Sequence, residues 1–330
     1  MKKFFYPTCL VLFSLLCVTS CGDDDDDASA SPVVNGITTD YNGKKVLLTR
    51  VGENYINYDE NGRITGLGDM DVAGKSFILT EEEGDEKDTY VVTLNSKGLI
   101  TQISSVLNDY DGDEDAWWRA KGKVTFSYNS SKQLTSVAVS GNGAYFYDDE
   151  KVPESWSSKT TFTWAGGNIK KATEKSTEKY KDEGKTLTET TVCNYEYLYG
   201  DEMNPLLQVS LSMQYPMFDP DDPFCVIGCL GFLGVGTAYF PIAINGEDTE
   251  YVNGVEENQS AFTADFSYTF NNNTTISAED YCGATFDYGY SILSEAKVRN
   301  RAGVSLAKAL KSLAHPQKRK SLRARRAAKR

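Results

Sequence analysis

A short turn motif recurs along the middle of this chain, at a spacing that leaves few folds open. The clearest copy is Tyr58-Asp59-Glu60-Asn61-Gly62-Arg63-Ile64-Thr65. Leu94-Asn95-Ser96-Lys97-Gly98-Leu99-Ile100-Thr101 and Tyr128-Asn129-Ser130-Ser131-Lys132-Gln133-Leu134-Thr135 keep its spacing, and Trp164-Ala165-Gly166-Gly167-Asn168-Ile169 is one residue shorter. Looser copies start at Tyr197 and Tyr268. Successive starts are separated by 36, 34, 36, 33 and 71 residues. The last step is close to twice the others and predicts one degenerate unit between Tyr197 and Tyr268. A period held over six copies marks a repeated supersecondary unit.

Each copy reads as a β-hairpin. An alternating strand such as Tyr55-Ile56-Asn57-Tyr58 ends in Asp or Asn, and a tight turn rich in Asn, Gly, Ser and Lys follows because positive φ is needed there. A second strand leaves with Ile-Thr or Leu-Thr. Two strands per unit predict an all-β fold, an antiparallel up-and-down meander of about 12 to 14 strands, curled or barrel-like. The 20 Tyr, 15 Phe and 4 Trp residues fit strands. A wall facing lipid needs an apolar outward face on every strand. Here Lys159-Thr160-Thr161-Phe162-Thr163-Trp164 and Glu174-Lys175-Ser176-Thr177-Glu178-Lys179-Tyr180-Lys181 carry polar or charged groups on both faces, so the sheet is expected to be soluble. The uncharged, Gly-rich stretch from Pro223 to Gly246 is long enough to span a bilayer. Gly228, Gly231, Gly234, Gly236 and Pro241 argue against a stable helix there. It reads as a buried crossing that fills one mouth of the sheet.

Four regions follow from the pattern: residues 1–20, an acidic and Ser/Ala tether over 21–35, the hairpin domain over 36–295, and a basic tail over 296–330. Lys2 and Lys3 precede an apolar run from Phe4 to Val18, and Val18-Thr19-Ser20 precede Cys21, the layout of a secretory signal peptide with a small-residue cut site. Small residues ending in Cys resemble the lipobox of bacterial lipoproteins, which implies that Cys21 carries lipid. Gly22 and the run Asp23, Asp24, Asp25, Asp26, Asp27 form a solvated spacer. A Cys, a small residue and an acidic run resemble the signal that sends lipoproteins of the Bacteroidetes to the cell surface. The implied address is the outer membrane, lipid-anchored and exposed outside the cell.

The Tyr-Asp-x-x-Gly-Arg-Ile-Thr core resembles the YD motif of Rhs-type repeats, whose period is shorter. The hairpins across roughly residues 40–290, with Leu230-Gly231-Phe232-Leu233-Gly234 leading into Phe240-Pro241, resemble more the DUF4595 family of Bacteroidetes lipoproteins. That resemblance implies a porin-like meander and no catalytic residue. The basic tail and the Cys225/Cys229 pair depart from it.

The net charge of −13 conceals a split: no acid follows Glu295, yet residues 297–330 hold 13 Lys and Arg, while residues 21–296 carry a net −28. Such a body repels nucleic acid. In the tail, Val298, Ala302, Leu306, Ala309, Leu310 and Leu313 fall on one helical face, which predicts a short C-terminal helix before Pro316 and a basic arm after it. Outside the first 21 residues the cysteines are Cys193, Cys225, Cys229 and Cys282, which permit three disulfide pairings. A metal site is not expected, because the single His315 lies in the tail and the cysteines lack zinc spacing. The run Asp109-x-Asp111-Gly112-Asp113-x-Asp115 fails the calcium-loop pattern at its sixth and twelfth positions and reads as a solvated hairpin tip. Trp117-Trp118 place one ring on each face of a strand. No Gly-x-Ser-x-Gly elbow and no phosphate loop occurs, and no cofactor is expected. The reading is a non-catalytic surface module for an extracellular glycan or protein. The alternatives are a secreted polysaccharide hydrolase with paired carboxylates and an envelope-structural lipoprotein.

Overall fold

The structure, a computed structural model, describes residues 38–39, 45–59, 64–67, 70–71, 76–83, 86–111, 116–147, 150–182, 185–204, 206–215, 217, 223–271 and 275–292. The predicted signal, Cys21, Asp23 to Asp27 and the tail helix lie outside these residues.

The strands run in chain order as β1 (Thr38–Thr39), β2 (Lys45–Val51), β3 (Asn54–Tyr58), β4 (Ile64–Leu67), β5 (Met70–Asp71) and β6 (Ser76–Glu83). Then come β7 (Glu86–Leu94), β8 (Ile100–Asp111), β9 (Ala116–Tyr128), β10 (Leu134–Tyr147), β11 (Glu150–Ala165), β12 (Asn168–Asp182) and β13 (Lys185–Met203). After a 35-residue excursion over 204–238 follow β14 (Tyr239–Val252), β15 (Val255–Phe270), β16 (Ile276–Tyr281) and β17 (Ala284–Ile292). Neighbouring strands with a defined register pair antiparallel, and β17 pairs back onto β2 through Tyr288↔Val51 and Ile292↔Val46. The all-β meander is as the sequence predicts. Two of the named strands, β1 and β5, are pieces of two residues. The sheet is curled but not closed. Between β5 and β6 no residue-by-residue register is defined among the described residues, and β15 runs far beyond its partner β16.

The turn motifs all fall at one end of the sheet, called the motif end below. In two of them Asn does the same work. Asn95 Oδ1 accepts from the backbone N–H of Lys97 and Leu99 (2.9 and 3.0 Å), and Asn129 Oδ1 from Ser131 and Gln133 (both 3.0 Å). Gly98 (φ 74°) and Lys132 (φ 62°) supply the left-handed residue that closes the turn. The motif aromatics link one repeat to the previous one. Tyr128 Oη donates to the carbonyl of Ile100 (2.8 Å), Trp164 Nε1 to Leu134 (2.8 Å) and Tyr199 Oη to Ile169 (2.8 Å). Each acceptor is the Ile or Leu that opens the second strand of the preceding hairpin. The period near 35 is therefore the period of an inter-repeat hydrogen bond as well as of a turn.

Three details correct the sequence reading. The fifth copy does not turn at Tyr197, which sits inside β13; Tyr199 carries the linking hydroxyl. The sixth turn begins at Phe270, where Asn271 N–H donates to Thr275 O (2.8 Å). Among the described residues the 71-residue step contains no degenerate hairpin at the motif end. The extra length is the 204–238 excursion, inserted where a five-residue turn stands elsewhere.

That excursion folds onto the concave face as a plug. Asn204 Nδ2 donates to the carbonyls of Gln208 and Thr237 (both 2.8 Å), holding its two legs together. Val235 N–H bonds Lys132 O (3.2 Å) and Ala238 N–H bonds Gly167 O (3.0 Å), so the plug is stitched to motif turns. Between the legs lie a 3-10 turn (Ser212–Gln214), the helix α1 (Pro223–Ile227) and a π turn (Gly228–Phe232). The described helix thus lies in the Gly-rich stretch, kept to five residues as its glycines lead one to expect. Leu211, Met213, Ile227, Leu230, Phe232 and Leu233 pack with Leu47, Leu48, Phe240, Ile244 and Ile276 of the wall in one core. Burial on this scale, at about 25 cal/mol per Å² of apolar area, is the main stabilising term for the plug.

Candidate functional site

The concave face of β11 to β15 is built in cross-strand rows, because alternate residues face inward. Nearest the plug, the row is Phe162, Ala172, Tyr195, Gly246 and Phe262. Next comes Thr160, Glu174, Cys193, Asp248 and Ser260, then Ser158, Ser176, Thr191, Glu250 and Asn258. The last row is Trp156, Glu178, Glu189 and Val252. Chemistry thus changes along the same strands, from aromatic beneath the plug to carboxylate and hydroxyl at the far end.

The far rows form a trough with aromatic and acidic walls. Glu154 and Glu178 are buried, as is Trp156. The Trp156 indole lies across Gly141 of β10, where an added Cβ would come within 2.1 Å of the ring. Glu178 and Glu189 are direct cross-strand partners, a pairing that brings Cβ atoms to about 5 Å. The Tyr180 hydroxyl donates to Glu189, the Ser260 hydroxyl donates to Asp248, and Ser158 Oγ donates to Glu174 (3.0 Å). Tyr195 Oη also reaches Glu174 (3.4 Å). Burial, then the neighbouring Glu174 charge, pushes the Tyr195 hydroxyl far above the ordinary phenol range. On the β15 side the trough is open: Val255 to Ala261 are exposed.

The plug end contrasts with this. Glu279 of β16, fully buried, accepts from the backbone N–H of Leu211 (3.0 Å) and Ser212 (2.8 Å) and from the Tyr288 hydroxyl (2.6 Å). Burial raises its pKa above the usual carboxylate range, against these hydrogen bonds, which lower it. It latches the plug to the wall. Beside it Ser212 Oγ bonds both Ser210 Oγ and the Tyr268 hydroxyl, and Gln208 Nε2 donates to the Tyr290 hydroxyl (2.8 Å). Burial also pushes the Cys229 thiol up, with Glu279 adding to it, so this thiol is a poor nucleophile. A cavity with an empty volume of about 350 Å³, partly open to solvent, lies between plug and wall. Leu134, Phe162, Trp164, Met213 and Leu233 line it.

The four cysteines named from the sequence are dispersed. Cys193 sits in a trough row, Cys225 and Cys229 lie one helical turn apart in the plug, and Cys282 is an exposed free thiol in the β16–β17 turn. Among the described residues no group of His, Cys, Asp and Glu is arranged to hold a metal ion. Sequence reasoning did not single out Glu279, Glu178 or Glu189. A carboxylate in a strand of alternating pattern gives no sign of which face it takes until the register is known. Over β11 to β14 the outward face carries Lys159, Thr161, Thr163, Lys171, Lys175, Glu196 and Glu247, all exposed, at positions where a lipid-facing barrel is apolar. No helix among the described residues is long and apolar enough to cross a membrane.

No family model matches this chain. No curated protein matches it either. Among solved structures, the chain is similar to a porin-like protein from Bacteroides vulgatus, at 14% identity and a TM-score of 0.40, over 74% of this chain and 98% of that one. It is also similar to a porin-like protein from Bacteroides uniformis, at 15% identity and a TM-score of 0.24, over 65% of this chain and 94% of that one.

Proposed function

We propose that this protein is a non-catalytic binding module, held at the outer membrane by lipid on Cys21 and displayed outside the cell, whose open trough takes an extracellular glycan or protein. The observation that carries this reading is the trough itself. The half-buried Tyr180 offers a flat ring, and the half-buried Glu174 and Glu189 offer hydrogen-bond acceptors, over a buried floor of Trp156, Tyr195, Glu178 and Asp248. Flat rings with directed acceptors suit polar, ring-shaped ligands. Two further features support it. The plugged interior and polar outer wall do not make a conduit across lipid. The chain enters β2 at the motif end, so a lipid tether before it would leave the trough end pointing away from the membrane.

The test is a panel of soluble polysaccharide fragments presented to residues 28–330. Retention of a glycan class by the wild type, weakened at least tenfold by Glu189→Gln or Tyr180→Phe, supports the module. Absence of retention across glycans and surface proteins of the same cells removes it. A second reading has one specific observation in its favour: Glu178 stands directly opposite Glu189, as a pair of catalytic carboxylates would in a polysaccharide hydrolase. Turnover of a retained glycan, abolished by either Glu178→Gln or Glu189→Gln, would establish that reading instead.

A further inference from the structure

The strand β15 ends its partnership with β16 at Phe266, so residues 255–265 have β14 on one side and no strand on the other among the described residues. Among the described residues the backbone over 255–264 is thus open along one edge, the carbonyl of Asp265 being taken by the Cys282 N–H (3.0 Å). Val255 to Ala261 are exposed on both faces, and no proline interrupts the run. An edge of this length is a template for another strand, and natural sheets normally cover it or shorten it. Here it is long and, among the described residues, uncovered, and it borders the trough.

Its charge is equally one-sided. Between Lys185 and Lys297 the sequence contains no Lys, Arg or His, and it holds 17 Asp and Glu. Glu256, Glu257 and Asp265 lie on the edge strand, and Glu247, Asp248 and Glu250 on its partner β14. A second copy of this chain pairing through the same edge would bring together two acidic regions with no base on either, which is unfavourable for like-charged surfaces. We propose that the β15 edge is a strand-addition site for an extended, lysine- or arginine-rich segment of a partner protein. Main-chain hydrogen bonds along residues 255–264 supply the affinity and the acidic row supplies the selection. The inference rests on the binding-module reading and names the kind of protein partner it would take.

The experiment uses the whole mature chain and a nine-residue peptide alternating lysine with valine and threonine, beside a control peptide with glutamate in place of lysine. Amide hydrogen exchange over 255–264 is expected to slow at least tenfold with the lysine peptide at low salt, and to be unchanged by the glutamate peptide. Adjacent residues point their N–H groups to opposite edges, so Ser260→Pro and Ala261→Pro are made separately. One of them removes an N–H from the open edge; it is expected to keep the wild-type circular dichroism and to weaken the peptide at least tenfold. The other breaks the β14 ladder and serves as the control for unfolding. Equal peptide binding by wild type and both proline variants overturns the proposal. So does a free protein whose edge amides exchange as slowly as those of β12, because the edge is then already covered. If the peptide binds only after residues 297–330 are deleted, the occupant is the chain's own basic tail and the foreign-partner proposal falls. Ala261 shares the parity of Asp265, whose carbonyl faces the open edge at Cys282, so Ala261→Pro is the edge-facing variant, and glycan retention in the trough should survive it. Loss of glycan retention from wild type with peptide capture intact would sink the glycan reading alone.

Discussion

The same strands build two different interiors. At the motif end, β13 to β17 face a plug, and the buried carboxylate of Glu279 is held by two backbone N–H groups and a tyrosine hydroxyl. At the far end, β11 to β15 outrun their neighbours, and Glu178 and Glu189 stand side by side on adjacent strands of a trough open on one side. The difference is one of length. Strands β16, β17, β2, β3 and β4 have 4 to 9 residues, whereas β11 to β15 have 14 to 19. Where short and long strands overlap, the curl meets itself and burial is complete. Beyond that, the carboxylates are held by hydroxyls, Tyr180 on Glu189 and Ser260 on Asp248, and the β15 side is exposed. One end is organised for stability and the other for access.

The contrast can be broken most strongly at Glu279. Glu279→Ala leaves the N–H groups of Leu211 and Ser212 and the Tyr288 hydroxyl without their acceptor, and should cost about 3 kcal/mol in urea unfolding. A loss within experimental error would mean that the latch does not hold the plug. Packing behind the trough comes next. Gly141→Val drives a side chain into the Trp156 ring and should cost about 2 kcal/mol, with altered tryptophan fluorescence.

A third prediction concerns pH. Because burial raises the folded-state pKa of Glu279, the unfolded chain ionises more readily, and the ionised group weighs against folding above the folded pKa. Stability of wild type relative to Glu279→Gln should therefore rise as pH falls through the folded pKa. It should level off near the ordinary value of 4.5. Paired denaturation curves from pH 8 to pH 4 would show this, and a difference that is flat or of opposite slope refutes the assignment. At the far end the expected effects are smaller. Glu178→Gln removes one of two opposed carboxylates and should stabilise the fold by about 0.5 kcal/mol at pH 7, less in high salt. A loss of more than 1 kcal/mol would show that the pair is structural. The smallest effect is expected at Met203, 62% exposed on the motif-end rim. Met203→Ser should change the thermal midpoint within the scatter of surface substitutions, about 0.5 kcal/mol.

The sequence by itself determined the hairpins, their direction and their period. Asn95, Asn129 and Gly98 act through bonds two to four residues away, and such local chemistry can be read along a single chain. It also separated wall from plug in outline, since an uncharged, Gly-rich run among charged strands has to be covered. The long step between Tyr197 and Tyr268 was legible as a number and not as a shape. A missing hairpin and an inserted plug lengthen the chain alike, and only the packing of Leu211, Ile227 and Phe232 against Leu47 and Ile244 decides between them. The candidate site was decided wholly by tertiary structure. Whether Glu178 meets Glu189, Glu279 meets Ser212, or the edge of β15 stays open depends on register and relative strand length. Those are set by cross-strand packing between residues far apart in sequence, and a shift of one residue would turn each carboxylate to the opposite face.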